Sequence, residues 1–153
     1  MARFQTEQGL VEGAIRVKIR LDFKGVSRPG RFFLGSKSTE KVAEEIREQQ
    51  IALFRNVPLQ GVVIEDINLG GEIYTVYDDA AGTEVAFAPV ELVVAVESLE
   101  DIIRFAAREE FRRIEVLEPG RLILSKFEIE RLLFRINEEI KSVKSWIERK
   151  YAR

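Results

Sequence analysis

The 153-residue chain contains no cysteine and no histidine. Without cysteine it cannot form disulfide bonds, thiolate metal sites or a thiol nucleophile. Without histidine it lacks Ser-His-Asp catalysis and imidazole metal ligation. No glycine-rich phosphate-binding motif occurs either. These absences exclude many common classes of enzyme, and we predict no catalytic residue, no cofactor and no metal ligand.

The sequence also lacks long hydrophobic runs. No stretch approaches the ~18 consecutive apolar residues that a membrane span requires. The first ten residues contain no apolar run after Arg3, which argues against a secretory signal peptide. We therefore predict a cytoplasmic protein without a membrane partner. Scarce asparagine, glutamine and methionine beside abundant glutamate and arginine hint at a thermophilic source.

A hydrophobic fraction of 46% and the lack of repeats or linkers predict one domain over residues 1–153. We predict an α+β fold with an antiparallel sheet of about five to seven strands and three helices. The clearest strand covers residues 15–23, where apolar and charged residues alternate. Shorter strands are predicted over residues 31–34, 62–64, 73–77, 85–87, 92–96, 114–117 and 122–124.

Capping residues locate the first two helices. Ser36 or Ser38 is predicted to cap a helix that ends near Asn56, just before a proline. Ser98 is predicted to cap a second helix, whose later turns are enriched in arginine as far as Arg113.

The last predicted helix, over residues 126–152, is the most informative feature. Ser125 and Glu128 form a capping box at its start. Apolar residues then recur at spacings of 4, 3, 4, 3 and 4, the heptad pattern of a coiled coil. We call these six residues the seam: Ile129, Leu133, Ile136, Ile140, Val143 and Ile147.

Such a helix spans about 40 Å, more than a domain of this size readily covers with its own sheet. The leading hypothesis is a non-enzymatic assembly or interaction protein, a homodimer or higher oligomer that self-associates through this helix. The alternative is that the helix packs along the sheet of its own chain. No small-molecule ligand is indicated.

A nucleic-acid-binding module is the second hypothesis. Arg16, Lys18 and Arg20 share one strand face, and Arg31 follows in the next basic segment. Such a surface can track phosphates. A sequence pI of about 5.5 and the absence of an RNP-like aromatic motif argue against this function. The other interpretation is a solvated face, or one that meets the acidic middle of a second subunit.

A carboxylate-dependent enzyme or small-ligand sensor is the third hypothesis. Asp78, Asp79 and Glu84 cluster around Gly82, and oxygen ligands suit Mg²⁺ and Ca²⁺. Their spacing is not that of an EF-hand. Aspartate and glycine are also the residues that hairpin turns select, so the alternative is a turn with no ligand.

Overall fold

The computed structural model describes residues 2–6, 9–26 and 38–151, with only the backbone described up to residue 12. Strands β1 (Ala2–Thr6) and β2 (Gly9–Gly13) pair antiparallel. This hairpin was not predicted from the sequence. The strand predicted over residues 31–34 lies outside the described residues, as does Ser36.

A five-stranded antiparallel sheet forms the centre of the fold. Its long strands are β3 (Ile15–Gly25) and β6 (Thr83–Val96), which lie side by side. The other edge of β3 pairs with β7 (Phe111–Glu118). The other edge of β6 pairs first with β5 (Tyr74–Asp78) and then with β4 (Val62–Asn68). The predicted α+β fold with an antiparallel sheet is thus confirmed.

The hydrophobic core lies on one face of this sheet. The alternating apolar residues of β3 all point into it and are fully buried: Ile15, Val17, Ile19, Leu21 and Phe23. Four residues of β6 bury the same face beside them: Val90, Leu92, Val94 and Val96. The alternation of apolar and charged residues over 15–23 therefore predicts correctly which face of β3 is buried.

Helix α1 (Thr39–Asn56) packs across β3 and β6 on the core side. Ser38 is its N-cap, as predicted, and its hydroxyl accepts from the backbone N–H of Lys41 at 3.2 Å. A side chain at Gly25 would collide with the backbone of Ala43. Glycine at this position therefore lets α1 approach the sheet closely.

The predicted strands over residues 85–87 and 92–96 are in fact one strand, β6. Between them lies Pro89, which stands opposite Asp22 of β3. The backbone N–H of Asp22 points toward β7 and not toward β6. The nitrogen of Pro89, which has no hydrogen to donate, therefore points away from β3. Pairing with β5 has ended there and pairing with β4 has not begun. The proline consequently interrupts no hydrogen bond of the sheet.

Helix α2 (Glu100–Ala106) is shorter than predicted. Arg113 lies in β7 and not in a helix, because the residues after α2 pair with β3. The predicted Ser98 cap is also wrong. Leu99 caps α2 without a side-chain hydrogen bond, and the Ser98 hydroxyl donates to the Asp101 carboxylate at 3.0 Å.

The return strand predicted over residues 122–124 does not form, apart from one bridge residue at position 123. Leu122 instead packs against the core from an irregular connection. A run of three apolar residues does not distinguish a short strand from a loop that covers a core. The predicted final hairpin is therefore wrong.

Helix α3 (Lys126–Tyr151) confirms the predicted long helix as far as the described residues extend. The capping box forms as expected. The Ser125 N–H donates to the Glu128 carboxylate at 2.9 Å, and the Glu128 N–H donates to the Ser125 hydroxyl at 3.2 Å. Among the described residues, no helix has the length and apolarity needed to cross a membrane.

Candidate functional site

The seam of α3 lies open. The helix has 26 residues and is therefore about 39 Å long. Within the described part of the chain, none of its residues is buried. Ile136 is half-buried, and the other five seam residues are 44–60% exposed. The alternative prediction, that α3 packs along its own sheet, is not what the described residues show, since α3 makes its most extensive contacts with α2.

Among the described residues, it is the first half of α3 that lies against the rest of the chain. Arg131 forms an ion pair with Glu100 of α2 at 3.4 Å. Leu132 lines a small cavity of about 90 Å³ together with Leu99 and Leu124. Glu139 is the last residue of the helix with partial burial, and every later described residue is exposed. The second half of α3 therefore projects away from the domain.

Helix α3 carries further large apolar side chains outside the seam. Phe127, Phe134, Trp146 and Tyr151 are all more than half exposed. The ammonium group of Lys150 lies 4.8 Å from the ring centroid of Trp146. A row of exposed apolar side chains such as the seam is rare on monomeric proteins and is typical of sites of interaction.

The predicted nucleic-acid face is occupied by intramolecular ion pairs. Arg16 donates to Glu65 at 2.8 Å and also bonds to Glu118. Arg20 donates to Asp22 at 2.9 Å. The hydrogen bonds to these carboxylates raise the pKa of both guanidinium groups above the ordinary value for arginine. Each arginine is held by acidic groups of its own chain.

Lys18 lies between the two arginines on the outer face of β3 and is half-buried. Its neighbours in the sheet are Val93 of β6 and Glu115 of β7. Arg31, the fourth residue of the predicted face, lies outside the described residues. The fold thus places Arg16, Lys18 and Arg20 on one face, as their alternation predicts.

A buried carboxylate on the same face was not predicted from the sequence. Asp22 is only 2% exposed, and besides Arg20 it accepts a hydrogen bond from the hydroxyl of Tyr74. Arg112 lies 3.6 Å from its second oxygen and also stacks over Phe87, as does Tyr74. Burial and the hydrogen bond to Asp22 raise the pKa of the Tyr74 phenol.

The network around Asp22 has no unsatisfied hydrogen-bonding group among the described residues. Every buried side-chain nitrogen or oxygen among the described residues has a hydrogen-bond partner. No sequence signal could have located the network, because Tyr74 and Arg112 are distant from Asp22 along the chain and meet it through strand pairing. A fully partnered buried carboxylate is typical of a structural role.

The predicted carboxylate cluster forms a turn. The Asp78 carboxylate accepts from Lys24 at 3.2 Å and from the backbone N–H of Ala80 at 3.0 Å. The hydrogen bond to Lys24 is the main cause that lowers the pKa of Asp78. Asp79 and Glu84 are exposed beside it. The described residues contain no group of three acidic side chains placed to hold a metal ion.

The basic face of β3, the turn at Asp78 and the seam of α3 differ in whether their side chains are free to bind a partner. The described arginines of the basic face are in ion pairs, and the Asp78 turn is closed by its own hydrogen bonds. Within the described part of the chain, five of the six seam residues of α3 present more than two fifths of their side-chain surface to water. No family model, no curated protein and no solved structure matches this chain.

Proposed function

We propose that this protein is a non-enzymatic assembly or interaction protein that self-associates through α3. A second copy of the chain covers the seam. The observation that carries this proposal is that six heptad-spaced apolar residues lie on one helix and none of them is buried. Burial of one such side chain contributes about 1.5–3 kcal/mol. Covering the exposed half of the five open seam residues on each of two chains is therefore comparable with the ~4–15 kcal/mol that association costs.

The heptad pattern favours a second α3 as the occupant. Side chains at heptad spacing insert between those of a facing helix with the same repeat. The spacing of 4, 3, 4, 3 and 4 is the same from either end of the helix, so a second copy offers a matching set of six residues. The second half of α3, from residue 140 onward, is exposed and leaves room for another helix alongside.

The two other hypotheses receive less support. Phosphates would have to displace Glu65 and Asp22 from Arg16 and Arg20 before a nucleic acid could bind there. A carboxylate-dependent site at Asp78 would have to displace Lys24. The seam requires no such displacement, because five of its six side chains are exposed to water.

A double substitution in the seam tests the proposal. We expect light scattering at micromolar concentration to give the mass of a dimer or higher oligomer for the natural chain. Ile136→Glu with Ile140→Glu buries four charges in a dimer, so we expect a monomer whose circular dichroism is unchanged.

The matched control is Ser142→Glu with Ser145→Glu, which adds the same charge to the same helix outside the seam. This control should retain the oligomeric mass. A monomeric natural chain, or an Ile136→Glu, Ile140→Glu variant of unchanged mass, would rule the proposal out.

A further inference from the structure

The residue types at the two kinds of seam position carry information about helix direction. In heptad notation, in which a and d are the apolar positions, Leu133, Ile140 and Ile147 occupy a, and Ile129, Ile136 and Val143 occupy d. Every d position is therefore β-branched. Parallel two-stranded coiled coils favour leucine at d, and isoleucine at d shifts parallel helices toward three or four strands. A parallel pair of α3 helices is disfavoured.

We infer that two α3 helices pair antiparallel around a twofold axis beside residue 138; this inference rests on the self-association proposed above. In this register each a residue faces a d residue of the second copy. The opposed pairs are Ile129 with Ile147, Leu133 with Val143, and Ile136 with Ile140. All six seam residues of each chain are then covered, and neither helix leaves a seam residue unopposed.

Charges at the e positions, beside the seam, support this direction. The e residues of two antiparallel helices meet along one edge, which brings Glu130 of one chain to Lys144 of the other. The twofold axis repeats this attraction, and Asn137 meets its own copy between the two pairs. Among the described residues, neither Glu130 nor Lys144 forms an ion pair within its own chain. Opposite charges at flanking positions set the orientation of paired helices.

The other edge of the seam carries the g positions, and it supports the same arrangement. Leu132 of one chain meets Trp146 of the second copy there, beside the small cavity lined by Leu124. The two Glu139 side chains approach each other near the axis. Each is held by Arg135 of its own helix at 2.8 Å, which offsets their repulsion.

The shape of the chain fits this arrangement. The first half of α3 lies beside its own domain, whereas the second half projects from it. Antiparallel pairing lays the projecting half of each helix along the anchored half of the other. The two domains then lie at opposite ends of a helix pair about 39 Å long.

Cysteine cross-linking tests the direction, because the natural chain has no cysteine. One batch carries Ile129→Cys and a second carries Ile147→Cys. We expect an oxidised mixture of the two to give a disulfide-linked dimer of the two variants. Each variant alone should stay unlinked, since identical positions would be 18 residues, or about 27 Å, apart along the pair.

The control variant Ser145→Cys, outside the seam, should not cross-link alone or in either mixture. Light scattering of the reduced samples separates the possible failures. A monomeric mass for the natural chain and both variants overturns the proposed function. Suppose instead that the variants keep the oligomeric mass of the natural chain. The antiparallel direction is then overturned if Ile129→Cys links to itself or if the mixture gives no link, and self-association still stands.

Discussion

Strand β3 and helix α3 each carry a regular row of apolar residues, but among the described residues only the β3 row is fully buried by its own chain. The five core residues of β3 are fully buried between β6, β7 and α1. None of the six seam residues of α3 is buried. Periodicity identifies the face that must leave water in both elements. Whether the covering surface comes from the same chain depends on where the element lies in the fold.

Matched isoleucine substitutions should expose this difference most strongly. Ile19→Ala in β3 should lower the free energy of unfolding by about 2–5 kcal/mol at every protein concentration, because it leaves a cavity. Ile140→Ala in α3 should change the stability of the monomer by less than about 0.5 kcal/mol.

Ile140→Ala should instead weaken association. Denaturant unfolding at several protein concentrations measures both variants. Equal and concentration-independent losses for Ile19→Ala and Ile140→Ala would remove the distinction between the two rows of residues.

The outer face of β3 provides a second comparison. Tyr74→Phe removes the hydroxyl that donates to the buried Asp22. We expect a loss of about 1–3 kcal/mol in unfolding free energy, because the carboxylate loses one of its partners. The control is Tyr77→Phe in the same strand, where the side chain is 60% exposed and the effect should be within about 0.5 kcal/mol. A loss of unfolding free energy for Tyr74→Phe as small as that for Tyr77→Phe would show that the hydrogen bond from Tyr74 to Asp22 contributes little.

Alkaline titration provides a second test of the hydrogen bond between Tyr74 and Asp22. The raised pKa of Tyr74 means that its neutral form is favoured in the folded state. This contribution to stability is fully present below the ordinary tyrosine pKa of about 10 and is lost as the pH rises through the pKa in the folded protein. Ultraviolet absorbance should show the ionisation of Tyr74 above its ordinary pKa, and Tyr74→Phe should remove that step. A titration identical in Tyr74→Phe would contradict the assignment.

The smallest expected effect concerns the flanking charges of α3. Glu130→Lys or Lys144→Glu alone should weaken association by less than about 1 kcal/mol at low salt, because each places like charges together. The double variant exchanges the two charges and should recover the lost affinity, which sedimentation equilibrium can measure. A double variant no better than either single one would argue against antiparallel pairing.

Local signals in the sequence are sufficient for the elements that depend on their own residues. The alternation over 15–23 predicts the buried face of β3, and the capping box of Ser125 and Glu128 predicts the start of α3. The seam follows from spacing alone. The exposed apolar row of α3 can therefore be predicted from the amino-acid sequence.

Features that depend on distant neighbours cannot be predicted in the same way. The strands predicted over 85–87 and 92–96 are one strand, β6, which continues through Pro89 because pairing with β5 ends before that residue and pairing with β4 begins after it. The arginine-rich stretch ending at Arg113 suggests a longer helix, but the end of this stretch pairs with β3 as part of strand β7. Asp22 is buried only because β5 and the start of β7 bring Tyr74 and Arg112 to it.

Fluorescence of Trp146, the single tryptophan of the chain, most directly tests whether a second copy covers α3. This side chain is 53% exposed in one chain and meets Leu132 of the second copy in the antiparallel pair. We predict a blue-shifted emission for the natural protein at high concentration, and a red-shifted emission for Ile136→Glu with Ile140→Glu under the same conditions. Identical emission maxima for the two proteins, unchanged on dilution, would contradict the claim that α3 is buried between chains.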